Sequence, residues 1–348
     1  MTYKRLGFFT RLLDKVPAGE RYRLATEQIV QAERSGFDSA WVAQHHFHEA
    51  EGGLPSPLVF LAHVAAQTRR IRLGTGIITL PMESPLRVAE DAAVLDQLSN
   101  GRFELGLGSG GTPSSFPPFG LQSDQRGEAY ARHLTLLRAA LDDEPLAGTD
   151  NHLYPPARQL GRRIWQATFS IDGAARAGKA GDGLMLSRTQ PRPQSDPDLP
   201  LDAIQNPIID AYLDALPEGI TPRILGSRTA FVTDNGEDAR RFAEQGLRQQ
   251  AVQFRAQGHV VTGDRLEDYI AAFDVHLGTP EETLATLRQD SALARVTDLA
   301  FQVHSIDPPH PFILRSIALL AEQVAPALGW HSGQQRKPDV EPTSKETL

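Results

Sequence analysis

The chain alternates short apolar runs with longer stretches in which apolar residues recur at helical spacing. In the first half, four aliphatic or β-branched runs are each followed by such a stretch. The predicted strands span residues 5–10, 39–44, 71–80 and 102–108, and the predicted helices span 19–35, 56–69, 84–99 and 125–142. Consecutive strand–helix units with nearly continuous apolar strands predict a parallel sheet covered by helices. At this point an open sheet and a closed barrel both fit.

The second half carries four more strand candidates, at residues 162–169, 183–187, 222–233 and 296–304. Helical stretches follow at 172–181, 236–256 and 308–327, and the stretches 191–200 and 257–280 indicate insertions. Eight strands favour closure, so the sequence predicts an α/β fold: a (β/α)8 TIM barrel, residues 1–330, with insertions at its C-terminal mouth. The polar stretch 331–348 lacks apolar periodicity and is expected to be a disordered C-terminal tail.

Composition narrows the functional classes. Hydrophobic residues make up 40% and charged residues 22%, the balance of an ordinary globular protein. The net charge of −8 offers no positive field for nucleic acid or an anionic membrane, so small-molecule partners are expected. The absence of cysteine excludes disulfides and thiolate chemistry. Neither a signal peptide nor a membrane-length apolar run is recognisable, and we expect a cytoplasmic protein.

One glycine motif is misleading. Gly106, Gly108 and Gly111 follow a strand and satisfy the G-x-G-x-x-G dinucleotide pattern. That pattern requires a helix next, whereas Pro113 and Pro117 follow at once and block helix formation. The segment is therefore interpreted as a flexible loop over the barrel mouth.

Several segments carry a family resemblance. They are WVAQHHF (41–47), GTGIITLP (74–81), PLRVAEDAAVLDQLSNGRFELGLGSG (85–110), FSIDGAARAGKAGDGLMLS (169–187) and GTPEETLATLR (278–288). Together they resemble the bacterial luciferase-like flavin-dependent monooxygenases, the family related to alkanal monooxygenase. The similarity covers most of residues 4–327 and implies a barrel that uses reduced flavin.

The resemblance selects His45 as the catalytic residue. Strand alternation turns His45 and His46 to opposite sides, so only one of them points into the mouth. The corresponding family histidine lies beside the flavin ring and acts as a base, a task suited to an imidazole. A structural histidine in the wall is the alternative. His48 adds a third histidine, but no further ligand motif accompanies it, and we predict no metal site.

The turn before the helix at 172–181 resembles the family's phosphate-binding turn. Free N–H groups at a helix N-terminus suit a phosphate. The backbone N–H groups of Gly173 and Ala174 and the Ser170 hydroxyl are predicted to hold the flavin phosphate, with Asp172 as a candidate N-cap. A capped helix without a ligand is the alternative.

Two further features follow from the same resemblance. Gly76 and Ile77 occupy the place of a non-prolyl cis peptide under the flavin ring, and a plain buried strand is the alternative. Gly108 and Ser109 stand where luciferase has a Cys-Arg pair, so they are predicted to contact the cofactor without that phosphate-binding arginine. Arg188 and Arg192 are candidates to replace its charge.

Gln44 also departs from the luciferase pattern, which has glutamate before the two histidines. Any role of that carboxylate is therefore lost in this chain.

The predicted function is an FMN-dependent monooxygenase. Reduced FMN from a separate flavin reductase would react with O2 to give a C4a-peroxyflavin, which oxidises a small organic substrate such as an aldehyde. A deazaflavin-dependent hydride-transfer oxidoreductase and a non-catalytic flavin-binding protein are the alternatives. The resemblance also implies a homodimer formed through the helices in 55–67 and 92–98. The loops 47–55, 109–124, 188–200 and 257–277 are expected to form the substrate pocket.

Overall fold

The computed structural model describes residues 4–256, 260–303 and 308–330. The strands are β1 Arg5–Thr10, β2 Ser39–Val42, β3 Arg72–Thr75, β4 Ile78–Thr79, β5 Phe103–Gly108, β6 Ile164–Ala167, β7 Gly183–Leu186, β8 Ile224–Val232, β9 Val275–Gly278 and β10 Asp298–Gln302. The helices are α1 Ala18–Arg34, α2 Pro57–Gln67, α3 Pro85–Leu98, α4 Arg126–Leu141, α5 Arg158–Gly161, α6 Ile171–Lys179, α7 Leu201–Ala215, α8 Gly236–Ala256, α9 Leu266–Ala272, α10 Pro280–Leu287, α11 His310–Leu319 and α12 Ala325–Ala327.

The strands close into a ring. Neighbouring strands pair in parallel in the order β1, β2, β3, β5, β6, β7, β8 and β10, and β10 pairs back onto β1. β4 follows β3 and pairs with β5. The predicted TIM barrel of eight strand positions with helices outside is confirmed, and the β10–β1 pairing excludes the open sheet.

Two segments differ from the sequence prediction. Residues 201–215 form α7, which the sequence analysis missed because Pro207 interrupts the helical pattern. Segment 257–280, expected as an insertion, contains α9 and β9, and β9 pairs with the second half of β8. Residues 257–259, residue 304 and the predicted tail 331–348 lie outside the described residues.

Two tryptophans fill the barrel interior. Trp41 of β2 and Trp165 of β6 meet edge to face with ring centroids 5.6 Å apart. Gly74 and Gly183 make room for them, because an added Cβ at either position would overlap the adjacent indole. The rest of this cluster is formed by Met185, Leu225 and Ala300, with Phe9, Ile77 and Ala167 packed against it. Phe9, Ile77 and Ala167 are only partly buried and lie at strand C-terminal ends, so they form the floor of the barrel mouth.

Candidate active site

A backbone shelf lies at the floor of the mouth. The peptide bond between Gly76 and Ile77 is cis, as predicted, and separates β3 from β4. The Thr75 hydroxyl bridges the break, because it donates to the Gly106 carbonyl at 2.8 Å and accepts from the Gly106 N–H at 2.9 Å. An added Cβ on Gly108 would lie 2.9 Å from Ile77 Cδ1, so Gly108 and the Ile77 side chain approach closely. We call Gly76, Ile77 and Gly108 the shelf.

Gln44 fastens β2 to the shelf. Its backbone N–H donates to the Ile77 carbonyl at 3.2 Å, and its side-chain oxygen accepts from the Thr79 N–H at 2.7 Å. Its side-chain nitrogen donates to Glu83 at 2.7 Å and to the Pro55 carbonyl at 3.1 Å. Burial raises the pKa of Glu83. An amide is needed at position 44, since a carboxylate would lack both donors.

His45 follows Gln44 at the C-terminal end of β2, with its side chain 23% exposed. Its backbone N–H donates to the Leu54 carbonyl at 3.0 Å, which ties it to the returning loop 47–55. Gly52 of that loop lies against the imidazole, where an added Cβ would overlap the ring. These contacts fix the ring at the mouth.

A carboxylate faces the His45 ring. Glu51 Oε2 lies 3.8 Å from His45 Nδ1, which is an electrostatic contact rather than a hydrogen bond in this geometry. The Thr112 hydroxyl donates to the same Glu51 oxygen at 2.7 Å. Contact with His45, and then the Thr112 hydrogen bond, lower the pKa of Glu51 to about 2. Glu51 is therefore ionised wherever the protein is folded at ordinary pH.

Opposing influences act on His45. Burial lowers its pKa, Glu51 raises it, and the positive charges of Arg11 and Arg188 lower it further. The net direction is downward, so the neutral imidazole is favoured near pH 7. A neutral imidazole is the form that accepts a proton.

The loops after β2 and β5 meet above the shelf. His46 packs edge to face on Phe119 with ring centroids 4.8 Å apart, and Phe47, 66% exposed, packs on both rings. The His48 ring nitrogen lies 2.8 Å from the Ser114 hydroxyl. Burial, followed by the charge of His45, lowers the pKa of His46. The predicted mouth loops 47–55 and 109–124 are thus joined by aromatic and polar contacts.

Ser170, rather than Asp172, is the N-cap of α6. Its hydroxyl accepts from the Gly173 N–H at 3.1 Å, and its carbonyl accepts from the Ala174 N–H at 3.1 Å. The Asp172 cap was wrong because the chain turns into the helix two residues earlier. The two N–H groups predicted to bind phosphate are therefore engaged inside the turn, and their phosphate role stays a prediction.

Arg188 lies beyond the end of β7 and is 7% exposed. Its guanidinium donates to the Thr229 hydroxyl of β8 at 3.4 Å. Burial, followed by the nearby charge of Arg11, lowers its pKa. Arg192, the other candidate for phosphate charge, is paired with Asp274.

Other features lie away from the mouth. A groove of about 990 Å³ runs along the outer surface of α1 and α2, lined by residues such as Tyr22, Val59 and His63. Within the described ranges, no group of three or more His, Asp or Glu side chains is arranged to hold a metal ion. None of the described helices combines the length and apolar character needed to cross a bilayer.

His45 and the shelf both lie at the mouth, because Gln44, the residue before His45, is hydrogen-bonded to Ile77. Ser109 is next to the shelf in sequence, and the α6 turn follows the neighbouring strand β6. Sequence reasoning missed Glu51, Thr112 and the anchoring role of Gln44. Thr112 is 61 residues from Glu51, and no local pattern indicates their contact.

Comparison with known proteins gives a consistent result. A sequence profile described as "luciferase-like monooxygenase" matches residues 6–305. The chain is 34% identical over 209 residues to 4-hydroxyprotoasukamycin monooxygenase of Streptomyces nodosus subsp. asukaensis, covering 56% of each protein. In general the chain spans about half the length of the first curated relatives it matches.

Solved structures share the fold over nearly the whole chain. Monooxygenase RslO1 from Streptomyces bottropensis superimposes with a TM-score of 0.76 at 25% identity, covering 93% of this chain and 99% of that one. The FMN-bound oxygenating constituent of 3,6-diketocamphane monooxygenase from Pseudomonas putida has a TM-score of 0.74 at 19% identity, covering 93% of this chain and 98% of that one. The coenzyme F420-dependent tetrahydromethanopterin reductase of Methanopyrus kandleri has a TM-score of 0.69 at 17% identity, covering 94% of this chain and 99% of that one. The last two show similarity of fold alone.

Proposed function

The chain belongs to the family of luciferase-like monooxygenases, and from that premise we propose that it is an FMN-dependent monooxygenase that oxidises a small organic substrate, such as an aldehyde, with reduced FMN and O2. The observation that carries the proposal is the position of His45 at the barrel mouth, directly after Gln44, whose backbone N–H is hydrogen-bonded to Ile77 of the shelf. A separate flavin reductase is the proposed electron donor.

The residues at the mouth fit a flat aromatic cofactor. The shelf presents glycine backbone closely approached by the side chains of Phe9 and Ile77, and the floor residues offer partly exposed apolar surface. The Ser227 hydroxyl is buried without a hydrogen-bond partner among the described residues, and its register partner Ala300 faces the barrel interior. These features support a ring resting on the shelf.

Further residues are proposed to hold the rest of the cofactor. Ser109 adjoins the shelf and would contact the ring. The α6 N-terminus, with Ser170, Gly173 and Ala174, would hold the phosphate, since a helix N-terminus attracts anions. Phosphate binding there requires the Ser170 hydroxyl to turn from the Gly173 N–H toward the ligand.

Bound reduced flavin supplies the electrons that activate O2. His45 is proposed to take a proton from the substrate. Glu51 faces Nδ1, which favours the tautomer that carries its proton there, and this leaves the lone pair of Nε2 as the acceptor. The joined loops 47–55 and 109–124 would restrict water at the reacting centre, where Phe47 and Phe119 supply an apolar wall.

Deazaflavin-dependent hydride transfer is the second candidate. It is favoured by the similarity of fold to the F420-dependent reductase, and the proposed shelf would support either tricyclic ring. The distinction is chemical, since a deazaflavin does not support the oxygen reaction. A non-catalytic flavin-binding protein is the third candidate.

A homodimer through α2 and α3 is also proposed. These helices expose Val59, Val94 and Leu98, which are 72%, 46% and 60% exposed. Apolar side chains left on neighbouring helices are typical of an interface, and a stable one buries more than about 1,000 Å².

An anaerobic titration followed by oxygen exposure tests the function. The protein is titrated with FMN, photoreduced FMN, F420 and NADH, and binding is followed by cofactor fluorescence and absorbance. We expect reduced FMN to bind at micromolar concentration or tighter, and O2 uptake to exceed that of free reduced FMN when substrate aldehydes are added. Tight F420 binding with no FMN binding would instead establish the deazaflavin alternative, and NADH binding alone would refute both.

A further inference from the structure

Arg188 differs from the other buried arginines of the described chain. Four arginines of the described residues are buried: Arg21, Arg102, Arg188 and Arg228. Arg102 donates five hydrogen bonds, to the Thr68 hydroxyl and to four backbone carbonyls. Arg228 pairs with Asp290 and donates to Gln205 and Ser227. Arg21 pairs with Glu49.

Arg188, by contrast, makes a single hydrogen bond to the described residues, to the Thr229 hydroxyl at 3.4 Å, beyond the usual 2.7–3.2 Å range. A guanidinium carries five N–H donors, and no carboxylate of the described residues lies within ion-pair distance of this one. The acidic group that acts on it, Asp274, is engaged by Arg192 and by the Thr189 hydroxyl.

A second cation acts on Arg188. Arg11, which follows β1, acts on Arg188, and both cations act on His45 at the end of β2. A buried guanidinium that leaves most of its donors unused among the described residues is unfavourable unless an anion joins it. The spare donors of Arg188 therefore form a cationic subsite at the mouth, next to His45.

We propose that Arg188, assisted by Arg11, binds a carboxylate group of the organic substrate and so orients that substrate beside His45. The inference rests on the proposed function and narrows its substrate class to organic acids. A planar guanidinium matches a carboxylate through two parallel N–H···O bonds. The flavin phosphate, the role suggested by sequence, is the competing anion. Arg188 donates to Thr229 of β8 and interacts electrostatically with Arg11 after β1 and with His45 after β2, whereas the α6 turn follows β6, and this placement favours the substrate.

The test uses full-length protein loaded with FMN and two matched pairs of probes: benzoate with benzamide, and acetate with acetamide. Calorimetry compares wild type, Arg188→Met, Arg188→Lys and the control Arg248→Met, an exposed arginine that pairs with Glu244 on α8. We expect wild type and Arg248→Met to bind at least one carboxylate tenfold or more tightly than its amide. Arg188→Met should lose that preference, and Arg188→Lys should retain only part of it. Denaturation of the cofactor-free protein should show that Arg188→Met is no less stable than wild type, because an unpaired buried charge is removed.

The flavin titrations separate the competing anions. If Arg188→Met weakens the binding of FMN but not the binding of riboflavin, Arg188 binds the flavin phosphate and the proposal is overturned. If Arg188→Met weakens the binding of reduced riboflavin and of reduced FMN equally, the guanidinium contacts the flavin ring, and the proposal is again overturned. Equal affinity of wild type for both acids and their amides also refutes the substrate carboxylate. Failure of the proposed function would appear separately, as absence of flavin binding in every variant.

Discussion

Glu51→Gln isolates the carboxylate that faces His45. The substitution keeps the side-chain size and an oxygen that accepts from Thr112, but it removes a negative charge 3.8 Å from His45 Nδ1. Two unit charges at that distance interact by about 1 kcal/mol in water and about 4 kcal/mol at an effective dielectric of 20. Both side chains are roughly a quarter exposed, so the true value lies between these limits. At about 1.4 kcal/mol per pKa unit, the change is about 1 to 3 units.

The direction of the shift in the His45 pKa follows from the groups around its ring. Glu51 favours the imidazolium and raises the pKa of His45, whereas burial, Arg11 and Arg188 lower it. Removing Glu51 therefore lowers this pKa further. If neutral His45 accepts the proton, kcat/KM rises with pH to a plateau, and the midpoint of that rise is the pKa of His45. In Glu51→Gln the midpoint should move about 1 to 3 units to lower pH, and the plateau should fall because the base is weaker.

Two measurements report this shift in the pKa of His45. The pH profile of substrate oxidation with reduced FMN gives the kinetic midpoint, and NMR titration of the His45 ring gives the pKa without turnover. The matched control is Glu49→Gln, which removes an equal charge from the same loop but from the partner of Arg21. Its His45 midpoint should stay within about 0.3 unit of wild type. A Glu51→Gln midpoint that stays equally close to wild type, or moves upward, refutes the role of Glu51.

Three further predictions follow. His45→Ala should leave reduced-FMN affinity within a few-fold and cut turnover by about 10² to 10⁴, whereas His46→Ala should act mainly through stability; full activity of the His45 variant would show that it is a wall residue. Gln44→Glu should lower the free energy of unfolding at pH 7 by about 1–3 kcal/mol, because the new carboxylate faces Glu83 without a donor. Since the pKa of Glu83 is already raised by burial, this deficit should shrink on acidification as one carboxyl is protonated, and a pH-independent deficit in chemical denaturation would contradict the account. Light scattering should report a homodimer, and a monomer at all concentrations would reject the α2–α3 interface.

The sequence by itself was sufficient for the barrel. Alternation of continuous apolar strands with amphipathic helices is a local property, and each unit appears in chain order in the closed ring. The cis bond at Gly76–Ile77 also followed from sequence, through the family resemblance. Where local signals conflicted, the prediction failed. Pro207 interrupted the helical pattern of α7, and Asp172 was predicted as a candidate cap of α6, where Ser170 is the cap.

Only the tertiary structure decided the chemistry around His45. Glu51 reaches the imidazole because the loop after β2 folds back, and Thr112 holds it there from a loop that is distant in sequence. The unmatched charge of Arg188 is likewise visible only once Asp274 is seen to be engaged by Arg192. Electrostatic interactions depend on distance in space and on burial, and both are set only when the barrel closes. The pattern of apolar residues that leads to this closure is, by contrast, a local property of the sequence.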